Sequence, residues 1–149
     1  MKINIISVGK LKDNYYELAQ NYNKMINWKI TSYEINYSKK IPANQIKEYE
    51  AELIKKYLNH SAYKISLVID ALQFSSENFS KLFGKQMMLG KNIDFIIGGA
   101  FGLSNEIIAM SDLNLSLSKM TMPHQLAKVI LLEQIYRSQS IIENHPYHK

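Results

Sequence analysis

The chain has 149 residues, enough for one domain with a buried core, and 46% of them are hydrophobic, which argues against disorder. Formal net charge is +5, which suits an anionic partner such as nucleic acid. There is no cysteine, so disulfides and thiolate metal sites are excluded and a reducing cytoplasm is permitted. The apolar runs are only a few residues long, too short to span a bilayer, so no membrane partner is expected.

Lys2–Val8 is β-branched and ends at Gly9, so it reads as a first strand rather than a signal peptide. Asp13 is placed to cap a helix running to about Asn27, with Leu18, Ala19, Tyr22, Met25 and Ile26 on one face. Lys29–Tyr37 alternates as a half-buried strand does. Ser38–Pro42 is a basic loop, and a helix is expected from about Asn44 to Asn59. Lys64–Asp70 then reads as a strand buried on both faces, and Ser75 or Ser76 opens a helix that stops near Gly90. Asp94–Ile97 is a short apolar strand running into Gly98-Gly99.

Ser104 caps a short helix, and Leu113, Leu115 and Leu117 alternate with polar residues as a last strand. Pro123 suits the first turn of a long final helix. Strands alternate with helices throughout, without repeat or linker. The expectation is therefore a single α/β domain over 1–149, a mostly parallel sheet with helices on both faces.

Three places could carry chemistry. Gly98-Gly-Ala-Phe-Gly102 follows a buried strand, where missing side chains permit close approach and positive φ. It lacks the Lys-Ser/Thr of a phosphate loop and the spacing of a dinucleotide fingerprint. A plain strand-to-helix turn is the competing reading. The segment Leu117–Met122 links strand to helix at the sheet edge where open α/β folds bind ligands, and suits an adenine-bearing sulfonium better than a polyphosphate. A connecting loop that fills the core is the alternative there.

The third is His145-Pro-Tyr-His148. Its two imidazoles could exchange protons near neutral pH, and Tyr147 could stack on a base. An exposed tail without function is the alternative, and no adjacent carboxylate or thiolate completes a metal set. Among eighteen basic residues Arg137 alone is arginine, a candidate wherever a fixed guanidinium fork is needed, with a surface or salt-bridge role as the alternative. Val129–Leu132, with Ile135, Tyr136, Ile141 and Ile142, is apolar around more than one helix face. Either a second copy of the chain or the chain's own core would cover the extra face.

Taken together, Phe95–Leu103, Leu115–His124, Glu133–Arg137 and Asn144–His148 resemble the ribosomal RNA large-subunit methyltransferase H family, with the early Val8-Gly9-Lys10 in keeping. That family belongs to the SPOUT methyltransferases, S-adenosylmethionine-dependent homodimers with a C-terminal trefoil knot. The resemblance implies methylation at N3 of a pseudouridine in the helix 69 loop of 23S rRNA, in the assembled ribosome, without a metal. By position it implies cofactor contacts at Ile69, Gly98, Leu117, Ser118, Lys119, Met120, Thr121 and Met122. Met120 and Met122 stand where Leu is frequent in the family, and Lys119 where a small residue is common. His145 or His148 would assist removal of the imide proton, Tyr147 would position the base, and Arg137 would hold phosphate or developing charge. The rival functions are a non-catalytic basic ribosome-binding module and a SPOUT enzyme acting on transfer RNA.

Overall fold

The computed structural model describes all residues, 1–149. Five strands, β1 (Lys2–Val8), β2 (Lys29–Ile35), β3 (Tyr63–Leu72), β4 (Ile93–Ile97) and β5 (Leu113–Leu115), form one sheet in the order β2-β1-β4-β3-β5. Every pairing is parallel. The helices are α1 (Asp13–Met25), α2 (Ile46–Lys55), α3 (Ser76–Met88), α4 (Asn105–Met110) and α5 (His124–Ile142).

The strand period of two sorts the core into two layers. Ile3, Ile5, Ile93, Phe95 and Ile97 point to one face and pack with Ala19 of α1, Phe79 and Phe83 of α3, and Leu131, Leu132 and Ile135 of α5. Ile6, Val8 and Ile96 point to the other, against Ala51 and Ile54 of α2 and Ile107 of α4. Covering both faces is what an all-parallel sheet requires. Asp94, fully buried in β4, accepts hydrogen bonds from Asn4 Nδ2 at 2.8 Å and Asn59 N at 2.7 Å, and burial raises its pKa. No helix is long and apolar enough to cross a membrane.

Several expectations change in detail. Asp13 does not cap α1: it is the first helical residue, at φ 48°, and Lys12 occupies the cap without a side-chain bond. Ser75 and Ser104 do cap, their hydroxyls accepting from Asn78 N at 3.2 Å and Ile107 N at 3.3 Å. Pro123 sits one position earlier than expected, at the cap of α5. β2 stops at Ile35, β5 stops at Leu115, and α2 covers only the middle of its expected span. β3 is buried on both faces only in its first half. Its pairing with β4 ends at Leu67↔Ile97, so Ile69 is 44% exposed and Leu72 63%. The breadth of the apolar surface on α5 has a local cause: the helix packs against α1, α3 and the sheet together. Val129, Leu131, Leu132 and Ile135 are thus covered by the chain's own core.

Candidate functional site

The ends of β3 and β4, together with the loop after β5, enclose a cavity of about 690 Å³ at the C-terminal edge of the sheet. That size suits a cofactor-sized ligand. β4 delivers its chain into a closed turn in which Gly102 N donates to Gly99 O at 3.0 Å and Gly102 adopts φ +77°. A Cβ on Gly98 would lie 2.7 Å from the carbonyl carbon of Gly102. The absent side chain at Gly98 therefore lets the turn close on itself, and this closed backbone becomes the cavity wall.

The opposite wall is the Leu117–Met122 segment. Ser116 N donates to Leu72 O at 2.8 Å, tying the segment to the end of β3. Ser116 Oγ donates to Ser118 O at 2.9 Å, and Met120 N donates to Ser118 Oγ at 3.0 Å. These local bonds hold an irregular backbone in one shape. Ile69, Gly98, Leu117, Ser118, Met120, Thr121 and Met122 all line the cavity. Lys119 does not; it is exposed to solvent, which keeps its charge off the cavity wall.

Apolar side chains mixed with backbone polar groups and a few hydroxyls fit the adenosyl and sulfonium parts of S-adenosylmethionine. Among the lining residues not expected from sequence, three carry titratable side chains: Lys47, Asp70 and His124. Asp70 could have been found as a charged residue closing an apolar strand run, and His124 as the end of the Leu115–His124 motif. His124 packs on Gly9, where a Cβ would fall 2.6 Å from its Nε2. Lys47 carried no signal beyond membership of a lysine-rich chain.

The four tail residues assemble elsewhere. Arg137 donates from Nε to Glu133 Oε1 at 3.0 Å, and Tyr147 Oη donates to the same oxygen at 3.1 Å. Arg137 Nη1 lies 3.4 Å from His148 Nδ1, and His148 Nε2 lies 3.2 Å from Glu77 Oε1. Burial, then the Glu133 carboxylate, pushes the Tyr147 phenol up to about 12, and Glu133 raises the Arg137 pKa. His145 is exposed, with its Nδ1 3.3 Å from Tyr147 N. Arg137 is thirteen residues along α5 from His124, roughly 20 Å at helical rise. The cofactor-type residues and the tail therefore form two separate groups within one chain. No cluster of three or more His, Asp or Glu side chains is placed to hold a metal.

The family model described as "Predicted SPOUT methyltransferase" matches residues 1–148. A ribosomal RNA large subunit methyltransferase H from Clostridium kluyveri is 42% identical, with all of both chains covered. A protein of the same name from Clostridium tetani is 41% identical, again over all of both chains. Among solved structures, a probable methylase family protein from Haemophilus influenzae superposes with a TM-score of 0.60 at 12% identity. It covers 99% of this chain and 70% of its own. A probable methyltransferase from Bordetella pertussis gives 0.57 at 10% identity, over 91% of this chain and 95% of its own. At those identities the structures speak for the fold alone, whereas the full-length sequence matches decide the family. The chain belongs to the SPOUT methyltransferase family.

Proposed function

We propose that this chain is an S-adenosylmethionine-dependent methyltransferase acting on N3 of a pseudouridine in the helix 69 loop of large-subunit rRNA, within the assembled ribosome. The observation that carries the reading is the cavity between the glycine turn and the Leu117–Met122 segment. Likeness over the whole chain to proteins named ribosomal RNA large subunit methyltransferase H supports the substrate class. The +5 net charge is in keeping with an RNA partner.

The cofactor, when bound, supplies an electrophilic methyl group on a cationic sulfur. The chain contributes placement. Ile69, Leu117 and Met122 offer apolar walls, and the tied backbone at 116–120 offers fixed amide and carbonyl groups. Such fixed groups orient a ligand without a reorganisation cost. The nucleophilic imide must lose its proton, and the tail histidines are the proposed assistants.

Because none of Arg137, His145, Tyr147 and His148 lines the cavity of their own chain, the tail of a second copy would complete a working site. We therefore include a homodimer in the proposal, in which one protomer's His145–His148 reaches its partner's cavity. Ile69, Leu72, Phe74 and Met120 support this reading as partly or largely exposed apolar side chains at or near the cavity rim, available for burial by a partner. The C-terminal trefoil knot is likewise part of the proposal. β5 lies at the sheet edge beside β3, yet α5 starts against Gly9 beyond β1, so the intervening segment must cross the ends of the inner strands.

Nucleoside mass spectrometry of helix 69 from a strain lacking the gene, with and without complementation, tests the function. Loss of N3-methylpseudouridine and its return on complementation is the expected result. An unchanged helix 69 with a methyl group missing from transfer RNA would move the chain to the tRNA-acting reading.

A further inference from the structure

Glu50 is a carboxylate that the proposed reaction does not use, and it is only 4% exposed. It lies on α2, the helix beneath the glycine turn. Its Oε1 accepts a hydrogen bond from Tyr37 Oη at 2.6 Å, while its Oε2 is buried with no partner. None of the ion pairs in the protein includes it. Lys47, one helical turn earlier, lines the cavity but makes no salt bridge with Glu50. Burying a carboxylate oxygen without a partner is costly, and natural structures keep such groups where something compensates.

What lies against this carboxylate is the cavity wall. A Cβ at Gly99 would be 3.1 Å from Glu50 Oε1 and 3.2 Å from Oε2. The two oxygens thus lie within roughly 4.7 Å of the Gly99 Cα, adding one carbon–carbon bond of about 1.5 Å to those separations. Gly99 itself lines the cavity. Only one thickness of backbone separates the carboxylate from the ligand space, and glycine is the residue that permits so thin a wall. Solvent screens the charge poorly there, because the carboxylate is enclosed.

We propose that Glu50 determines specificity by charge: its carboxylate behind Gly99 favours a cationic sulfonium in the cavity over the neutral thioether left after methyl transfer. The proposal rests on the S-adenosylmethionine reading and adds a residue and a preference to it. Tyr37 anchors one oxygen and sets the orientation of the carboxylate. The charge attraction is present while the sulfur carries its methyl group and disappears when the methyl leaves. Glu50 therefore holds the substrate form and releases the product form. For unit charges about 9 Å apart at an effective dielectric of about 20–40, the preference is roughly five- to twentyfold.

The test is calorimetric titration of the full-length protein with S-adenosylmethionine and, separately, S-adenosylhomocysteine. Glu50→Gln keeps the shape and an oxygen for Tyr37 but removes the charge. Its affinity for S-adenosylmethionine should fall roughly fivefold or more, with S-adenosylhomocysteine changing less than about twofold. Glu50→Asp keeps a charge and should retain the sulfonium preference even where both affinities drop. Tyr37→Phe, which leaves the charge in place, should also retain it. Equal losses for both ligands in Glu50→Gln, or no loss for either, would overturn the proposal and leave Glu50 as a structural support of the turn. If Glu50→Gln does not fold, loss of the preference in Glu50→Asp and Tyr37→Phe together would overturn it. Failure of the wild-type protein to bind either ligand would instead defeat the cofactor reading itself, and the Glu50 proposal with it.

Discussion

The Arg137 guanidinium carbon lies 4.8 Å over the Tyr147 ring, and both side chains also bond Glu133. The end of the chain is therefore fastened to α5 through one carboxylate rather than fraying into solvent. Deleting His145–Lys149 leaves every cavity-lining residue intact, so S-adenosylmethionine affinity should stay within about twofold while methylation of ribosomes is lost. General-base contributions are typically about 10²–10⁴-fold, and single-turnover rates of His145→Ala and His148→Ala show which imidazole supplies one. Near-normal rates in both would reassign the tail to RNA positioning.

Lys128 is buried on α5, with Nζ 2.9 Å from Glu34 Oε1 and 3.3 Å from Ser7 Oγ. Its partner is less enclosed: the side chain of Glu34 is 27% exposed against 3% for Lys128. Glu34→Ala strands an ammonium in the interior and should cost about 3 kcal/mol or more. Lys128→Met leaves a carboxylate that still reaches water and should cost less. Urea unfolding of both variants checks the order, and equal losses would contradict it.

Dimerisation separates two isoleucines on the same helix. Ile135 is fully buried within its own chain, so Ile135→Glu should give unfolded or aggregated protein at any concentration. Ile130 is only half-buried in the protomer. If a partner covers it, Ile130→Glu should sediment as a folded monomer where the wild type sediments as a dimer. A folded wild-type monomer at micromolar concentration would reject the dimer.

The two raised tyrosines predict an alkaline limit to stability. The bond to Glu50 pushes Tyr37 up to about 12, and burial does the same for Tyr147. Unfolded tyrosine titrates near pH 10. Between these values the unfolded chain releases protons that the folded chain keeps, so this contribution is complete below pH 10 and lost as pH rises towards 12. The fall in unfolding free energy from pH 9.5 to 11.5 should be shallower in Tyr37→Phe than in the wild type.

Strand order was not legible in the sequence, but strand identity was. Ile3 and Ile5 against Ile6 and Val8 show the period of two directly, and Ser75 and Ser104 announce helix starts by their chemistry. Asp13 misled because a good capping residue was displaced by one position, with the cap falling to Lys12. The apolar breadth of α5 was equally compatible with a partner and with a helix wedged between α1 and α3, since pattern records how much is buried and not against what. The cavity loops were readable from glycines after a strand and from Leu117–Met122. Glu50 was not, because its significance lies in a contact with Gly99, 49 positions away in the chain, that no local spacing encodes.

The most direct test of the central claim is calorimetric titration of S-adenosylmethionine into the wild-type protein and Ala100→Trp, with a metal chelator present. Ala100 is exposed on the cavity rim, so an indole there should fill the ligand space without disturbing the core. The account predicts one molecule bound per protomer of wild type, independent of metal, and at least about tenfold weaker binding by an Ala100→Trp protein with an unchanged circular dichroism spectrum. No binding by folded wild type, or undiminished binding by Ala100→Trp, would contradict the assignment of this cavity to the cofactor.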